Sequence, residues 1–243
     1  MQLSLLTVYR DRAIHLHTQL AWWQQQAQHL THCEWIIIEA DKTPSPGLKK
    51  SLENQGIKYQ FLENSGTLHK TKALNLGIQI AQGDYITPFD VDLIPLKNTL
   101  QQHLKLAQIS PQLLITGYRV MSPLPSLNLS EIEATLEQCE IAPEDKPSAL
   151  SKHLLKAERF GVLPFFQRQR ILEINGWDEE FIGWGAEDQD LIERYLEDFA
   201  FLCRSPHLVY LHLHHGKDKH WHEDQNITSN RHKYYQKRQI KAQ

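Results

Sequence analysis

Two aspartates, Asp90 and Asp92, come directly after an apolar segment, Tyr85 to Phe89, that we predict to be a strand. Alternate residues of a strand point to opposite sides, so at least one of the two carboxylates can project into a crevice at the strand end. Hard divalent ions such as Mg²⁺ and Mn²⁺ prefer oxygen ligands and commonly bridge one or two protein carboxylates to substrate phosphates. The pair therefore indicates a metal site, although a solvated strand end or a helix cap has the same spacing.

A second group of carboxylates follows a tryptophan that stands between two glycines, in residues 183–190. The glycines allow the backbone to turn tightly and to present Trp184 as a flat apolar platform. Glu187 and Asp188 begin a predicted helix, whose N-terminus favours anions. A sugar could stack its C–H face on the ring while its hydroxyls meet a carboxylate that acts as an acid or base. The alternative is an acidic helix start beside a core tryptophan.

Histidines are concentrated near the C-terminus, where seven of the 14 follow residue 200. His212 and His214 would share one face of a predicted strand over Leu208 to Leu213, and His215 lies at its exit. Neutral imidazole is a good ligand for manganese, iron or zinc. The cluster indicates a metal site without deciding which of these histidines binds, and packed or solvated histidines are the alternative.

The elements that must position these residues alternate between strand and helix in the first half of the chain. We predict strands over 3–9, 35–38, 57–62 and 85–89, and helices over about 12–29, 47–54 and 70–81. This alternation is typical of a doubly wound α/β fold with a parallel sheet, in which ligands bind beyond the carboxyl ends of the strands. Tyr9-Arg10, Glu39 to Asp41 and Asp90 to Asp92 are the predicted strand ends.

The second half begins with a predicted strand over 113–120. Residues 121–147 then contain four prolines around an acidic helix with a predicted capping box, Ser130 to Glu133, and are interpreted as an excursion or lid. A turn at Asn175-Gly176, the helix from Glu187 and the strand over 208–213 follow, before a polar, basic tail.

Composition describes an ordinary globular chain of 243 residues, with 41% hydrophobic residues, 23% charged residues and a net charge of −3. These values exclude collagen-like, coiled-coil and disordered proteins, and without a basic excess no nucleic-acid partner is expected. Three cysteines without C-x-x-C spacing argue against a disulfide framework and favour a reducing compartment. No targeting segment and no run of the ~20 apolar residues that a membrane span needs is present, so we expect a cytoplasmic protein.

Several of these segments occur in the order of a known family. Lys70 to Gly77, Ala81 to Ile86 and Asp90 to Asp92 resemble the nucleotide-sugar half of family 2 glycosyltransferases with the GT-A fold. Asn175 to Phe181 and Gly183 to Asp188 look like the acceptor-side signature of β-1,4-galactosyltransferases and bacterial chondroitin-polymerase-type enzymes. The resemblance implies a single GT-A (Rossmann-like) domain with a mostly parallel central sheet flanked by helices. Its nucleotide-sugar-binding half would be 1–95, its acceptor-binding and catalytic half 96–222, and its basic tail 223–243.

The resemblance also implies a donor site. Its uridine contacts would be Thr7, Tyr9, Arg10 and Asp41, with Lys72 near the nucleotide. Asp90 would contact the ribose or the sugar of the donor.

The metal and acceptor sites are implied in the same way. Asp92 would bind Mn²⁺ (or Mg²⁺) together with His215, which begins a matching His-Gly-Lys-Asp-Lys segment, and His212. Trp184 would pack against the donor and acceptor sugars, Glu187 would bind acceptor hydroxyls, and Asp188 would be the general base.

The function that this resemblance implies is an inverting, metal-dependent glycosyltransferase. It would move a hexose or N-acetylhexosamine from a UDP-sugar to a hydroxyl of a glycan or glycolipid, in polysaccharide or glycoconjugate biosynthesis. A sugar-nucleotide-binding protein without turnover and a zinc-dependent hydrolase using the cluster from His212 to His215 are the alternatives. The basic tail over 231–241 indicates either a solvated terminus or peripheral contact with the inner face of an anionic membrane that carries a lipid-linked acceptor.

Overall fold

The computed structural model describes residues 1–197, 201–216 and 223–241. Four strands of the first half form a parallel sheet: β1 (Leu3–Tyr9), β2 (Cys33–Asp41), β3 (Lys58–Glu63) and β4 (Tyr85–Pro88). Helices α1 (Ala13–Gln26), α2 (Leu48–Glu53) and α3 (Lys70–Ile80) connect them. The order is β3-β2-β1-β4, and β8 (Phe166–Gln167) adds an antiparallel edge beside β4. The predicted α/β fold with a mostly parallel sheet is confirmed.

Hydrophobic cores cover both faces of this sheet. Leu5 and Tyr9 of β1 pack on one side with the tryptophans of α1, while Leu6 packs on the other side with α3. A strand that is covered on both faces reads as a continuous apolar run, and Trp35 to Ile38 of β2 are all buried.

Four strands from the later part of the chain form a second sheet. Its strands are β5 (Leu93–Pro95), β6 (Leu113–Met121), β7 (Glu140–Ile141) and β9 (Phe201–His212), in the order β5-β9-β6-β7. β9 runs parallel to β6 and antiparallel to β5. β9 begins at Phe201, earlier than predicted, because residues 201–204 pair with β6; the pairing is interrupted by a bulge and resumes at Val209.

The remaining helices are α4 (Thr99–Ile109), α5 (Ile132–Leu136), α6 (Pro147–Leu155), α7 (Arg168–Glu173), α8 (Glu187–Tyr195) and α9 (Glu223–Lys241). The predicted capping box at Ser130 is wrong. Asn128 caps this turn instead: its side chain accepts a hydrogen bond from the backbone N–H of Ser130, at 3.2 Å. The cap starts a 3₁₀ turn over 129–131 that leads into α5.

Residues 121–160, which include the predicted excursion, are attached to the second sheet through a buried carboxylate. Asp145 is paired with Arg119 of β6 at 3.3 Å and with Arg204 of β9 at 2.7 Å. Because both arginines belong to the sheet, the excursion has a fixed position beside it.

The basic tail is the helix α9, and its side chains contact the rest of the chain. Asn230 donates hydrogen bonds to the backbone carbonyls of Ile182 and Trp184, at 2.9 and 3.2 Å. Lys237 pairs with Asp178 and Glu180, so the tail supports the loop that contains Trp184. In the parts of the chain that the structure describes, the helices lack the length and apolarity needed to cross a membrane.

Gly83 provides a test of the parallel sheet. Its backbone N–H donates to the Ser4 hydroxyl at 2.9 Å and to the Glu34 carboxylate at 3.1 Å, and a Cβ there would lie 2.6 Å from the backbone nitrogen of Ser4. We expect Gly83→Ala to lower the free energy of unfolding by about 1–3 kcal/mol, because the backbone must shift. Chemical denaturation measures this change. Gly66→Ala is the matched control, since no described atom lies within 4 Å of its added Cβ; equal stability of the two variants would contradict the close approach.

Candidate functional site

Two cavities adjoin one another where the strands of the two sheets end. The first has a volume of 290 Å³ and is lined by cations, carboxylates and two histidines: Arg10, Arg12, Lys70, Asp90, Asp92, Arg119, Glu144, His212 and His215, with Val8, Leu68, Val91, Met121 and Trp184. The second has a volume of 340 Å³, and its lining includes Glu187, Asp188, His153, Phe160 and Arg231. Asp90, Arg119, Glu144 and Trp184 line both cavities, so these residues mark where the two meet.

Asp92, His212 and His215 form a cluster in the first cavity. The two imidazoles approach the Asp92 carboxylate to 3.6 and 3.4 Å, and the candidate ligand atoms of the three residues lie within 4.8 Å of one another. Asp92 Oδ1 and His212 Nδ1 are buried, and neither has a hydrogen-bond partner in the described part of the chain. A buried polar atom without a partner is costly, and a bound cation would satisfy the carboxylate oxygen. The cluster therefore fits a divalent metal ion.

The chemistry of the cluster supports the same conclusion. Burial lowers the pKa of His212, although the Asp92 carboxylate opposes this effect, so the imidazole is held in the neutral form that binds metals. One carboxylate with two imidazoles suits Mn²⁺ better than Mg²⁺, and it also suits Zn²⁺.

Strand pairing brings these distant residues together. His212 is paired with Leu93, and the backbone N–H of Leu213 donates to the carbonyl of Asp92 at 2.8 Å. β9 ends at His212, so the side-chain alternation of the strand does not continue to His214, whose side chain is exposed. Of the three candidate histidines, the geometry selects His212 and His215. After Gly216, the rest of the His-Gly-Lys-Asp-Lys segment that begins at His215 falls within residues 217–222, which lie outside the described residues.

The ammonium group of Lys70 lies among three carboxylates from two regions of the chain. Its Nζ atom is 3.3 Å from Asp90, 3.4 Å from Glu187 and 3.6 Å from Asp188, and its side chain is only 9% exposed. Burial alone would lower the pKa of Lys70, but the three negative charges outweigh it and raise the pKa well above its ordinary value. Lys70 is therefore a permanent positive charge between the strand-end aspartate and the acidic helix start.

Glu187 and Asp188 have different environments. The side chain of Glu187 is 3% exposed, and it accepts a hydrogen bond from the backbone N–H of Gly185 at 2.7 Å. Burial and the neighbouring Asp188 raise the pKa of Glu187 to about 7. Asp188 is 38% exposed, and its Oδ1 accepts a hydrogen bond from the indole N–H of the buried Trp177 at 3.0 Å. Asp188 is thus both oriented and accessible from the second cavity.

The loop before these carboxylates presents Trp184, which is 42% exposed. Gly183 and Gly185 have φ values of +80° and +113°, which favour glycine, and Ala186 follows at +65°. This tight loop places the indole at the junction of the two cavities.

Strand β1 positions its residues differently from the prediction. The Thr7 hydroxyl is buried: it donates to the carbonyl of Phe89 at 2.6 Å and accepts from the Trp35 indole at 2.9 Å. Tyr9 is buried in the core on the same side. Their predicted contacts with uridine do not fit this placement, because the cavity is lined by Val8, on the other face of the strand, and by Arg10, which follows the strand, but not by Thr7 or Tyr9. Arg10 lines the first cavity, and its guanidinium lies 3.7 Å from Asp41, which is therefore next to the cavity without being among its lining residues.

Lys72 is exposed and is not among the described residues that line either cavity. Residues of a helix advance by about 100° each, so Lys70 and Lys72 of α3 point in very different directions. Lys70, not Lys72, lines the first cavity, so the predicted position of Lys72 near the nucleotide does not fit this geometry. Arg12 and Arg119 are further residues of the site that sequence reasoning missed, since no motif distinguishes them. Trp177 belongs to the Asn175 to Phe181 signature, but its contact with Asp188 was not predicted.

Comparison with known proteins agrees with this architecture. The profile of a family described as glycosyltransferase like family 2 matches residues 16–222. The chain belongs to this family. The search of curated proteins found no match to this chain.

Solved structures show its fold. A crystal structure of GalNAc-T7 with UDP, GalNAc and Mn²⁺ has a TM-score of 0.65 at 16% identity, over 89% of this chain and 44% of that one. S. aureus TarS gives 0.63 at 13% identity, over 97% and 44% of the two chains. The mannosyltransferase PcManGT from Pyrobaculum calidifontis, in complex with GDP-Man and Mn²⁺, gives 0.62 at 16% identity, over 90% and 58%. The family 2 chain has their GT-A fold and spans about half of their length.

The cluster of Asp92, His212 and His215 predicts a measurable metal affinity. We expect Asp92→Ala to weaken Mn²⁺ binding by at least ~10–100-fold. Loss of a residue that only hydrogen-bonds a metal ligand commonly has an effect of this size, and Asp92 would be a ligand itself. Titration of free Mn²⁺ by electron paramagnetic resonance measures this affinity. His214→Ala is the matched control, because that side chain is exposed, and a loss of affinity in this control alone would place the metal elsewhere.

The buried Glu187 predicts a pH-dependent stability. Its pKa is about 7 in the folded protein against an ordinary value of 4.5, so its ionisation between these values costs folding free energy as the pH rises. We expect the stability of Glu187→Gln relative to the wild type to increase by about 1–3 kcal/mol between pH 5 and pH 8. Denaturation at several pH values measures it. The exposed Glu137→Gln should show no such slope, and a flat difference for Glu187→Gln would refute the raised pKa.

Proposed function

We propose that this chain is an inverting, metal-dependent glycosyltransferase. It transfers a hexose or N-acetylhexosamine from a UDP-sugar to a hydroxyl of a glycan or glycolipid acceptor, in polysaccharide or glycoconjugate biosynthesis. One observation carries the proposal: a cavity with a metal-ligand cluster and a cavity with an oriented, accessible carboxylate meet at Asp90, Arg119, Glu144 and Trp184. Donor and acceptor could therefore react at a common wall.

The first cavity suits a nucleoside diphosphate sugar. Arg10, Arg12, Lys70 and Arg119 place four cations around it, and guanidinium and ammonium groups bind phosphate oxygens well. Two of the similar structures hold UDP or GDP-Man together with Mn²⁺. A divalent cation held by Asp92, His212 and His215 would supply Lewis-acid stabilisation of the departing diphosphate. UDP is proposed on the resemblance to glycosyltransferases and on the GalNAc-T7 complex.

The second cavity suits the acceptor. Trp184 offers an exposed apolar face at its junction with the donor cavity, where sugar rings can stack. Asp188 removes the proton of the acceptor hydroxyl as that oxygen attacks the anomeric carbon, and the bond from that carbon to the diphosphate oxygen breaks with its electron pair on the diphosphate. The opposite approach of the two groups inverts the anomeric configuration. The ammonium group of Lys70 lies 3.6 Å from the Asp188 carboxylate and pairs with it.

Glu187 has a different role in this scheme. One of its oxygens accepts from the backbone of Gly185 and the other is near Lys70, which leaves it little capacity for the acceptor hydroxyls assigned to it by the resemblance. We propose that Glu187 fixes the loop of Trp184 and the ammonium group of Lys70.

Asp188→Asn tests the base directly. We expect kcat to fall by ~10²–10⁴-fold, the usual contribution of general-base catalysis, with donor affinity retained because Lys70 and the metal ligands remain. Steady-state transfer rates and donor titration measure the two quantities. Asp84→Asn is the control, since this exposed aspartate lies outside the linings of both cavities. An unchanged kcat in Asp188→Asn would overturn the assignment of the base.

The reaction class is tested by UDP release from a panel of UDP-sugars, with and without Mn²⁺ and with a panel of glycan acceptors. Mn²⁺-stimulated release that is lost in Asp92→Ala supports the proposal. Donor binding without release or transfer would favour the non-catalytic alternative. The same three ligands also suit Zn²⁺, so Zn²⁺-dependent hydrolysis that needs no nucleotide would favour a hydrolase.

Cytoplasmic location and membrane contact through the C-terminal segment stay predictions. Lys233, Lys237 and Arg238 of α9 contact carbonyls or carboxylates of the chain itself, so they are less available to anionic lipids. Co-sedimentation with anionic liposomes measures such contact.

A further inference from the structure

We infer that two side chains of α1, His15 and Gln19, are positioning residues for the metal cluster. They lie four residues apart, so they share one face of the helix. Each holds the backbone of one of the two segments that supply the cluster. The inference rests on the proposed metal site and adds to it a support that neither the family profile nor the resemblance contains.

Gln19 holds the segment of Asp92. Its side-chain amide is fully buried, and its two N–H groups donate to the carbonyls of Asp90 and Leu93, at 2.9 and 3.0 Å. The N–H of Leu93 also donates to the carbonyl of Asp90, so these residues bound a tight turn. One amide group thus binds both ends of the turn whose third residue is Asp92.

His15 holds the segment of His215. Its ring is 6% exposed, and its Nε2 lies 3.0 Å from the carbonyl oxygen of His214. A carbonyl can only accept, so Nε2 carries the proton and donates. The ring also meets the His215 imidazole edge-on, with 6.3 Å between centroids. The bond fixes the peptide before His215, where β9 has already ended and strand pairing no longer positions the chain.

The two contacts explain how segments distant in sequence hold one cluster. Asp92 and His212 are already joined by β5 and β9, but His215 lies in a loop. Because α1 contacts both segments, it contributes to the separation between Asp92 and His215, together with the hydrogen bonds that the N–H groups of Leu213 and His214 donate to the carbonyls of Asp92 and Leu124. Partners that orient metal ligands in this way commonly contribute ~10–100-fold to metal affinity.

The test is Mn²⁺ affinity of the full chain, titrated by electron paramagnetic resonance, together with stability measured in a chelator. Gln19→Met and His15→Phe keep the approximate shape but remove the donors. We expect each to weaken Mn²⁺ binding by ~10–100-fold. His15→Gln restores an N–H donor at a similar reach and should recover most of the affinity. The controls are His17→Phe and Gln25→Met, exposed residues of the same helix, which should bind Mn²⁺ like the wild type.

Each outcome decides between the two proposals. Wild-type affinity in His15→Phe and Gln19→Met would overturn the positioning role and leave the metal site intact, even if both variants were less stable. Failure of His15→Gln to recover affinity would also count against the donated hydrogen bond. No Mn²⁺ binding by the wild type would overturn the metal site and the inference with it. If Gln19→Met does not fold, the comparison of His15→Phe with His15→Gln carries the test alone.

Discussion

The ammonium group of Lys70 is the charge on which the arrangement of the site depends. Asp90 follows strand β4 of the first sheet, whereas Glu187 and Asp188 begin a helix nearly a hundred residues later. These carboxylates would repel one another without a cation between them. Lys70 and Glu187 are buried, so removing the Lys70 ammonium group would leave the Glu187 carboxylate uncompensated, which is destabilising. Lys70 therefore joins the metal-side cavity to the cavity of the proposed base.

Around this ion cluster, the fold supplies rigidity from several directions. Trp177 holds Asp188 by a hydrogen bond, and Asn75 of α3 in turn binds the backbone N–H and carbonyl of Trp177, both at 2.8 Å. Because α3 also carries Lys70, Asp188, the proposed base, and its neighbouring cation are both positioned by contacts with one helix. Asn230 of α9 holds the opposite side of the Trp184 loop. The C-terminal helix is thus part of the site's support.

The sequence predicted what depends on local patterns and on order along the chain. The strands and helices of the first half, the strand-end carboxylates and the Gly-Trp-Gly loop all have local signals, and the structure brings Asp92, His212, Asp188 and Trp184 to adjoining cavities. The direction in which each side chain points is harder to predict. Thr7 and Tyr9 belong to the core face of β1, and Lys72 points away from the site, since an error of one residue in a strand or two in a helix reverses the direction of a side chain.

The remaining errors share a different cause, which is that the decisive partner is distant in sequence. Arg119 belongs to no motif. Its side chain at the junction of the cavities pairs with Asp145, which comes next to β6 only after a long intervening segment of the chain. The sequence of the tail is basic, and no nearby residue indicates that Asp178 pairs with Lys237 or that Glu193 pairs with Arg238. Glutamine and histidine in the first turns of α1 have equally little local meaning. Their importance comes from the carbonyls they reach, at the Asp92 turn and at His214, and such carbonyls exist as partners only once β5 and β9 have paired.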